Sequence, residues 1–454
     1  MQLRNYQKRI CNFIVDHPHA CVSVGMGLGK TACVLHVLDH IKARCPEMTA
    51  LIVAPKRVAE TVWLPEAEKW GFDVRRHMEL VAGTPAQRAN AAQSADILVV
   101  SRDNISDFAG QTFDILVIDE LTSFKTRTAK RTDAVLSIKA GRKIGLTGTI
   151  APNGLIDLFS QMAALDMAGH AKGDWYAWRG RFFENIMEGS GQPFKKFRLR
   201  HGVTAGQVLE PWRKDIITLT AEDWLELPEM METEIPVELA EVERNAYMDL
   251  NAVLHFEMPD GLEFTASDKG KFAKLQTLCA GFVYDTDTGD ALRLEGGGTK
   301  IRAAVEFCER CAAEGESVLL FYQYRESAVW FGELAKEAGL RIASTSSKGW
   351  LDRWNNGELD VLVANPASAG HGLNLQHGGH VVLWMELTYN YEHFAQANAR
   401  LHRTGQAERV RCYYLVAKGT VDDRILPALR KKSEVNRNVQ EMTKGETLNG
   451  RRER

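Results

Sequence analysis

Two α/β lobes in tandem, each built on a parallel sheet, with a mainly helical region inserted between them, are predicted for this chain of 454 residues. Three observations predict them. Short unbroken runs of Val, Ile and Leu alternate with helix-like segments between residues 20 and 150, a second such series begins near residue 300, and the stretch between follows neither rhythm. Strands covered by helices on both faces read as continuous apolar runs, whereas half-exposed strands alternate.

In the first lobe the runs lie at 20–24, 51–54, 97–100, 115–118 and 144–146; in the second they lie at 318–321, 361–364, 381–383 and 410–416. Between the lobes, Gly- and Pro-bearing breaks such as Gly189-Ser190-Gly191-Gln192-Pro193 and Gly296-Gly297-Gly298 interrupt a mainly helical pattern. The resulting segments are a first lobe at 1–155, an inserted helical region and linker at 156–295, a second lobe at 296–428 and a basic tail at 429–454. No fixed-period repeat is visible, which excludes solenoids and propellers.

Charge and composition narrow the function classes. With 45% hydrophobic and 25% charged residues the chain is of ordinary globular type. Its net charge of −3 excludes a uniformly basic coat for nucleic acid. That sum conceals an uneven distribution: residues 220–263 carry thirteen acidic side chains and one basic, so the remainder is net positive by +9. The N-terminal residues lack the apolar run of a secretory signal and no stretch is long enough to span a membrane, so a cytoplasmic protein is expected. Eight cysteines are too sparse for a disulfide scaffold, and Cys308 and Cys311 lie in a helix-like run as packing thiols.

Directly after the first apolar run stands Gly25-Met26-Gly27-Leu28-Gly29-Lys30-Thr31, followed by a helix-like stretch. Strand, glycine loop and helix start in that order present backbone N–H groups and the positive end of a helix to a polyphosphate. Lys30 is then expected at the β- and γ-phosphates and the Thr31 hydroxyl on Mg²⁺. The strict spacing of a phosphate loop asks for glycine where Val24 stands, so the loop alone also admits a simple βα turn.

The run at 115–118 leads straight into Asp119-Glu120. Adjacent carboxylates at the end of a buried strand repel each other near a low-dielectric core, and a bound cation reverses that balance. Asp119 is expected to hold Mg²⁺ and Glu120 to orient and deprotonate an attacking water. In Leu146-Thr147-Gly148-Thr149, Thr147 and Thr149 place two hydroxyls at a strand end, suited either to sensing that carboxylate pair or to forming a turn.

Hydrolysis of a phosphoanhydride also needs cations on the transferring group, and the second lobe offers them. Gln396, Arg400 and Arg403 stand four and three residues apart, which on a helix is one face. Upstream, Gly370 and Gly372 in Gly370-His371-Gly372-Leu373-Asn374-Leu375 allow close approach of another backbone. Residues 172–200 hold seven basic and three acidic side chains interleaved with seven aromatic ones. Two readings of that segment stand: a nucleic-acid surface, or rings packed in a core beneath a solvated cationic face.

In this order the motifs resemble the motor core of the superfamily-two helicases, and within it the Swi/Snf-type double-stranded DNA translocases. Leu3-Arg4-Asn5-Tyr6-Gln7 resembles the family's adenine-reading glutamine motif, Met26 to Thr31 its phosphate loop and Leu51-Ile52-Val53-Ala54-Pro55 its first DNA-backbone motif. Ile118-Asp119-Glu120 resembles Walker B, Leu146 to Thr149 the coupling motif, Gly370 to Leu375 the fifth motif and Gln396 to Gln406 the arginine motif. Two departures are visible: Leu121-Thr122 after the carboxylates, and Ile150-Ala151-Pro152 after Thr149. Both are similar to a compact subgroup encoded by bacteriophages and prophages.

The resemblance implies two RecA-like lobes that hydrolyse ATP with Mg²⁺ and move along mainly double-stranded DNA. It implies ATP contacts from Gln7, Gly25, Met26, Gly27, Leu28, Gly29, Lys30, Thr31 and Gln396, with Thr31 and Asp119 on the metal. Catalysis would rest on Lys30, Asp119, Glu120, Arg400 and Arg403, and coupling on Thr147, Thr149, Gly370 and Gly372. A monomer working beside phage replication or recombination proteins in the bacterial host's cytoplasm is expected. A strand-separating helicase and a non-hydrolysing DNA-binding scaffold remain as alternatives.

Overall fold

The computed structural model describes residues 2–152, 154–171, 174–186, 197–224, 227–254, 266–285, 287–369 and 374–444. They fall into two compact units, the first within Met1–Leu225 and Glu434–Arg454, the second within Glu226–Ser433.

The first unit opens with β1 (His19–Val24), β2 (Ala50–Ala54), β3 (Met78–Val81), β4 (Ile97–Ser101), β5 (Thr112–Asp119) and β6 (Lys139–Thr147). A short antiparallel hairpin of β7 (Phe183–Asn185) and β8 (Phe197–Leu199) follows, then β9 (Ile216–Leu219). Seven of these strands form one sheet in the order β3-β4-β2-β5-β6-β1-β9, and every neighbouring pair is parallel. The apolar runs explain it: every residue of β2 and β4 is buried, because helices cover both faces.

The second unit holds β10 (Met231–Val237), a small antiparallel hairpin of β11 (Phe282–Tyr284) and β12 (Ala291–Arg293), β13 (Val318–Phe321), β14 (Ile342–Ser344), β15 (Val361–Ala364), β16 (Val381–Trp384) and β17 (Arg411–Ala417). Its six-stranded sheet runs β10-β17-β16-β13-β15-β14, again parallel throughout. Two parallel-sheet α/β lobes are therefore present; eight of the nine apolar runs read from the sequence lie wholly on strands, and the ninth, 410–416, lies on β17 apart from Val410.

The stretch 156–295 is more than a helical insertion. It supplies β9 to the edge of the first sheet and β10 to the edge of the second, alongside its helices. The helix Asp422–Thr443 begins in the second unit, and residues from Glu434 onward belong to the first. There the Thr443 hydroxyl meets that of Thr218 on β9 at 2.7 Å, the Gln440 amide donates to Gly148 O at 3.3 Å, and Val439 is buried.

In the second unit, fully buried Lys300 pairs with equally buried Asp422. Buried Glu243 accepts from the backbone N–H of Gly298 at 2.7 Å and of Thr299 at 3.1 Å, capping the helix Thr299–Ala313 through its carboxylate. Cys308 and Cys311 are buried on that same helix, as expected for packing thiols. Among the described residues no helix is long and apolar enough to cross a membrane.

Candidate active site

Three adjacent strands carry the candidate residues of the first unit to one edge of its sheet. Ser23 of β1 lies in register with Thr147 of β6, and Leu146 of β6 with Asp119 of β5. The loop after β1, the carboxylates after β5 and the hydroxyls after β6 thus emerge side by side at the carboxyl ends of parallel strands, where open α/β sheets bind ligands.

The loop is shaped by glycine. Gly27 and Gly29 have φ of 79° and 78°, in the left-handed region that other residues adopt at a cost. Gly29 is also the N-cap of the helix Lys30–Arg44, and no side chain caps it. The first N–H groups of that fifteen-residue helix therefore face the loop without a side-chain acceptor. Lys30 folds over the same loop, its ammonium donating to Val24 O at 2.7 Å and Gly25 O at 3.4 Å. Val24, the residue that breaks the strict phosphate-loop spacing, is the buried end of β1 and contributes to the site through its carbonyl.

Gln7 is placed against this loop. Its side chain accepts from Arg4 N–H at 2.9 Å and donates to Leu28 O at 3.4 Å. A Cβ on Gly29 would stand 2.4 Å from the Gln7 amide nitrogen, so the glycine makes room for the glutamine. Behind them Cys33 Sγ approaches Gln7 O at 3.8 Å and Cys11 Sγ approaches Cys33 O at 3.6 Å, tying the helix Asn5–Asp16 to the loop helix. The pairing with Cys11, together with burial, pushes the Cys33 thiol well up.

Across the sheet, Asp119 Oδ2 accepts from the Trp63 indole at 3.2 Å and Oδ1 from the Glu120 N–H at 3.0 Å. Burial raises the Asp119 carboxyl above its ordinary range, against the lowering effects of the Lys30 charge and those two hydrogen bonds. Glu120 sits at φ 57°, a left-handed backbone uncommon for a non-glycine residue. Buried Thr122 donates to Glu120 Oε1 at 3.0 Å. Strained backbone of this kind recurs where a side chain must be aimed. The Thr147 hydroxyl donates to Thr149 O at 2.6 Å and accepts from Thr149 N–H at 3.1 Å, so both threonines form a tight turn at the end of β6.

The donor chemistry fits a hard divalent cation. Thr31 and Asp119 offer a hydroxyl and a carboxylate, and Mg²⁺ prefers such oxygen donors completed by phosphates and water. Among the described residues no cluster of three or more His, Cys, Asp or Glu forms an alternative metal site.

The second unit arranges its candidates differently from the expectation of one helical face. The helix Tyr391–Asn398 stops before the arginines, so only Gln396 lies on it. The Asn398 carbonyl oxygen of the side chain is held by the Trp384 indole at 2.9 Å, and the chain then turns. Gly405 takes φ 93°, and the Gln406 amide donates to Gly379 O at 3.0 Å and Gln376 O at 3.3 Å, which fastens the turn to a neighbouring loop. Arg400 is buried, with Nε donating back to Gln396 O at 3.2 Å, and Arg403 is half-buried. Gly370 and Gly372 lie outside the described residues.

Two contributors escaped the sequence reading. Trp63 is fifty-six residues from its partner Asp119, and nothing in its local sequence signals the contact. Thr122 was visible only as a departure from the usual residues after the carboxylates, although a hydroxyl two positions from an αL carboxylate is a legible hydrogen-bond donor.

Comparison with known proteins follows the same lines. The chain is 29% identical to p41 of Acyrthosiphon pisum secondary endosymbiont phage 1, over 93% of its own length and 94% of that protein. It is 27% identical to the mouse DNA annealing helicase and endonuclease ZRANB3, over all of this chain but only 41% of that longer protein. Among solved structures, the Sulfolobus solfataricus SWI2/SNF2 ATPase core in complex with dsDNA matches with a TM-score of 0.45 and 20% identity, covering 99% of this chain and 96% of that one. The SNF2-related domain profile matches residues 6–282, more than half of the sequence, and the chain therefore belongs to the SNF2-related family of ATP-dependent, helicase-type enzymes.

Proposed function

We propose that this chain is a DNA-dependent ATPase that uses Mg²⁺-assisted ATP hydrolysis to move along double-stranded DNA. The observation that carries this reading is the row formed by the glycine loop, Thr147 and Asp119-Glu120 at the carboxyl ends of three adjacent strands. An uncapped helix N-terminus and Lys30 bind the polyphosphate, and Gln7 lies beside the loop to read the base. Thr31 and Asp119 would hold Mg²⁺, which would supply positive charge against the polyphosphate. Glu120, aimed by Thr122 and its own backbone, orients the attacking water and takes its proton. Arg400 and Arg403 of the second unit supply the cations that stabilise charge on the transferring group, with Gln396 at the nucleotide. Thr147, Thr149, Gly370 and Gly372 relay the nucleotide state to DNA.

The similarity to p41 of a phage supports a phage-related origin; the further reading is of a monomer working in the bacterial cytoplasm beside replication or recombination proteins. The test is ATP turnover measured with no DNA, single strand, duplex and fork. Duplex is expected to stimulate wild type most. Lys30→Ala is expected to abolish turnover and weaken nucleotide binding, whereas Glu120→Gln abolishes turnover and keeps ATP bound. Turnover indifferent to every DNA sinks the motor reading; efficient strand displacement converts it to a helicase.

A further inference from the structure

The helix Trp175–Phe182 sorts its aromatic residues by face. Trp178 is buried among Phe159, Phe182, Phe183 and Trp212, with ring centroids 5.2–5.9 Å away. For these rings the packed-core reading of the segment holds. Tyr176 points the other way and is 58% exposed. Two guanidiniums lie against its ring, exposed Arg127 at 5.3 Å and half-buried Arg179 at 5.5 Å from the centroid, Arg179 also packing on Phe197 at 4.8 Å, and Arg127 Nη2 donates to the Tyr176 hydroxyl at 3.3 Å.

Among the described residues neither guanidinium pairs with a carboxylate. Asp174 instead caps the helix, accepting from Ala177 N–H at 2.9 Å, and Glu184 is held by Arg198 at 2.7 Å. An exposed cation over an aromatic ring contributes only about 0.5–1 kcal/mol, and two like charges beside one ring repel. Phe197 already gives half-buried Arg179 a packing role, so it is the exposed Arg127–Tyr176 pair from which folding gains little. A strand of nucleic acid matches it better, since phosphates satisfy guanidiniums and a base stacks on the ring. Bases inside a duplex keep their faces hidden, so only an unpaired one can use the ring.

We propose that Arg127, Tyr176 and Arg179 form a docking point for an unpaired nucleotide of a DNA strand, such as the single-stranded arm of a fork or gap beside the duplex. The inference rests on the DNA-motor reading and adds a preference for structure in the DNA. Arg127 stands on the segment that follows Glu120 and precedes the helix Lys130–Ser137, so the docking point adjoins the catalytic strand in sequence.

The experiment compares full-length wild type, Tyr176→Ala, Tyr176→Phe and Arg127→Ala by fluorescence anisotropy. The probes are a fork with one single-stranded arm and a blunt duplex. Stacking of one base is lost at about 1–3 kcal/mol, so Tyr176→Ala is expected to bind the fork about tenfold more weakly and the duplex within about twofold of wild type. Tyr176→Phe keeps the ring and is expected to bind like wild type. Arg127→Ala is expected to lower the salt dependence of fork binding by about one phosphate contact, which Tyr176→Ala leaves in place. Equal losses on fork and duplex, or none on either, overturn the docking point while leaving the motor intact. A wild type that binds neither probe overturns both.

Discussion

The indole N–H of Trp63 donates to Asp119 Oδ2 at 3.2 Å, from the start of the helix Trp63–Trp70 to the end of β5. That bond favours the charged carboxylate, while burial favours the neutral acid and prevails. Trp63→Phe removes one of the groups that hold the proton off, so the Asp119 pKa rises further and the metal binding proposed for Asp119 should be lost earlier on acidification. The acid limb of the pH–rate profile should move to higher pH. An unmoved limb would show that the indole leaves the carboxylate's titration untouched.

Thr122 is expected to act on rate rather than on nucleotide affinity. Its hydroxyl holds Glu120 Oε1 at 3.0 Å, in a backbone already turned to φ 57°. Thr122→Val keeps the shape and removes the donor. With about 1 kcal/mol at stake, kcat should fall severalfold to tenfold while KM for ATP stays put, and Thr122→Ser should recover most of the loss. Equal effects of Val and Ser would point to packing instead.

Gly29→Ala combines two penalties. The φ of 78° disfavours any side chain, and the new Cβ would stand 2.4 Å from the Gln7 amide nitrogen. Together these should cost about 1–3 kcal/mol, spent on distorting the loop. A nucleotide titration should show weaker binding by tenfold or more, and Gln7→Ala in the same chain should recover only the share due to the clash. Unchanged affinity would mean that the loop tolerates a side chain there.

The Lys300–Asp422 pair predicts a stability effect remote from the chemistry. Burial, the largest single influence, works against a charged Lys300, but the Asp422 charge together with Cys279, Glu386 and the hydrogen bond to Asp422 outweighs it and the lysine pKa is raised. The sign follows: the pair stabilises below the ordinary lysine pKa, and that contribution is lost as pH rises through the raised one. Asp422→Asn strands a buried ammonium and should cost about 3–5 kcal/mol, read as an earlier urea midpoint. A loss below about 1 kcal/mol would place the pair in the class of surface bridges.

The strands legible in the sequence were those whose apolar runs repeat at regular intervals, because burial on both faces demands such runs. β9 carries the same signal in Ile216-Ile217-Thr218-Leu219, yet it stands alone in a stretch of other character and passes unnoticed. β10 lacks the signal altogether, since six of its seven residues reach solvent at a sheet edge. Among candidate site residues, the loop and carboxylates were legible because their chemistry is local in the chain. The placement of Arg400 and Arg403 was not: helical spacing assumes a helix, and this one stops at Asn398. Nor does any local pattern announce that Trp63 faces Asp119 or that Gly29 yields space to Gln7.

The union of Thr218 and Thr443 across 225 positions has a bearing on biosynthesis. As the chain leaves the ribosome, the first sheet acquires β9 early, but the helical turn that closes over that edge arrives only after the whole second unit has been made. Until then the slot for Val439 and the carbonyl of Gly148 face water. A polypeptide stopped at residue 433 would lack Val439, Gln440 and Thr443, leaving the Thr218 hydroxyl and the Gly148 carbonyl without these partners.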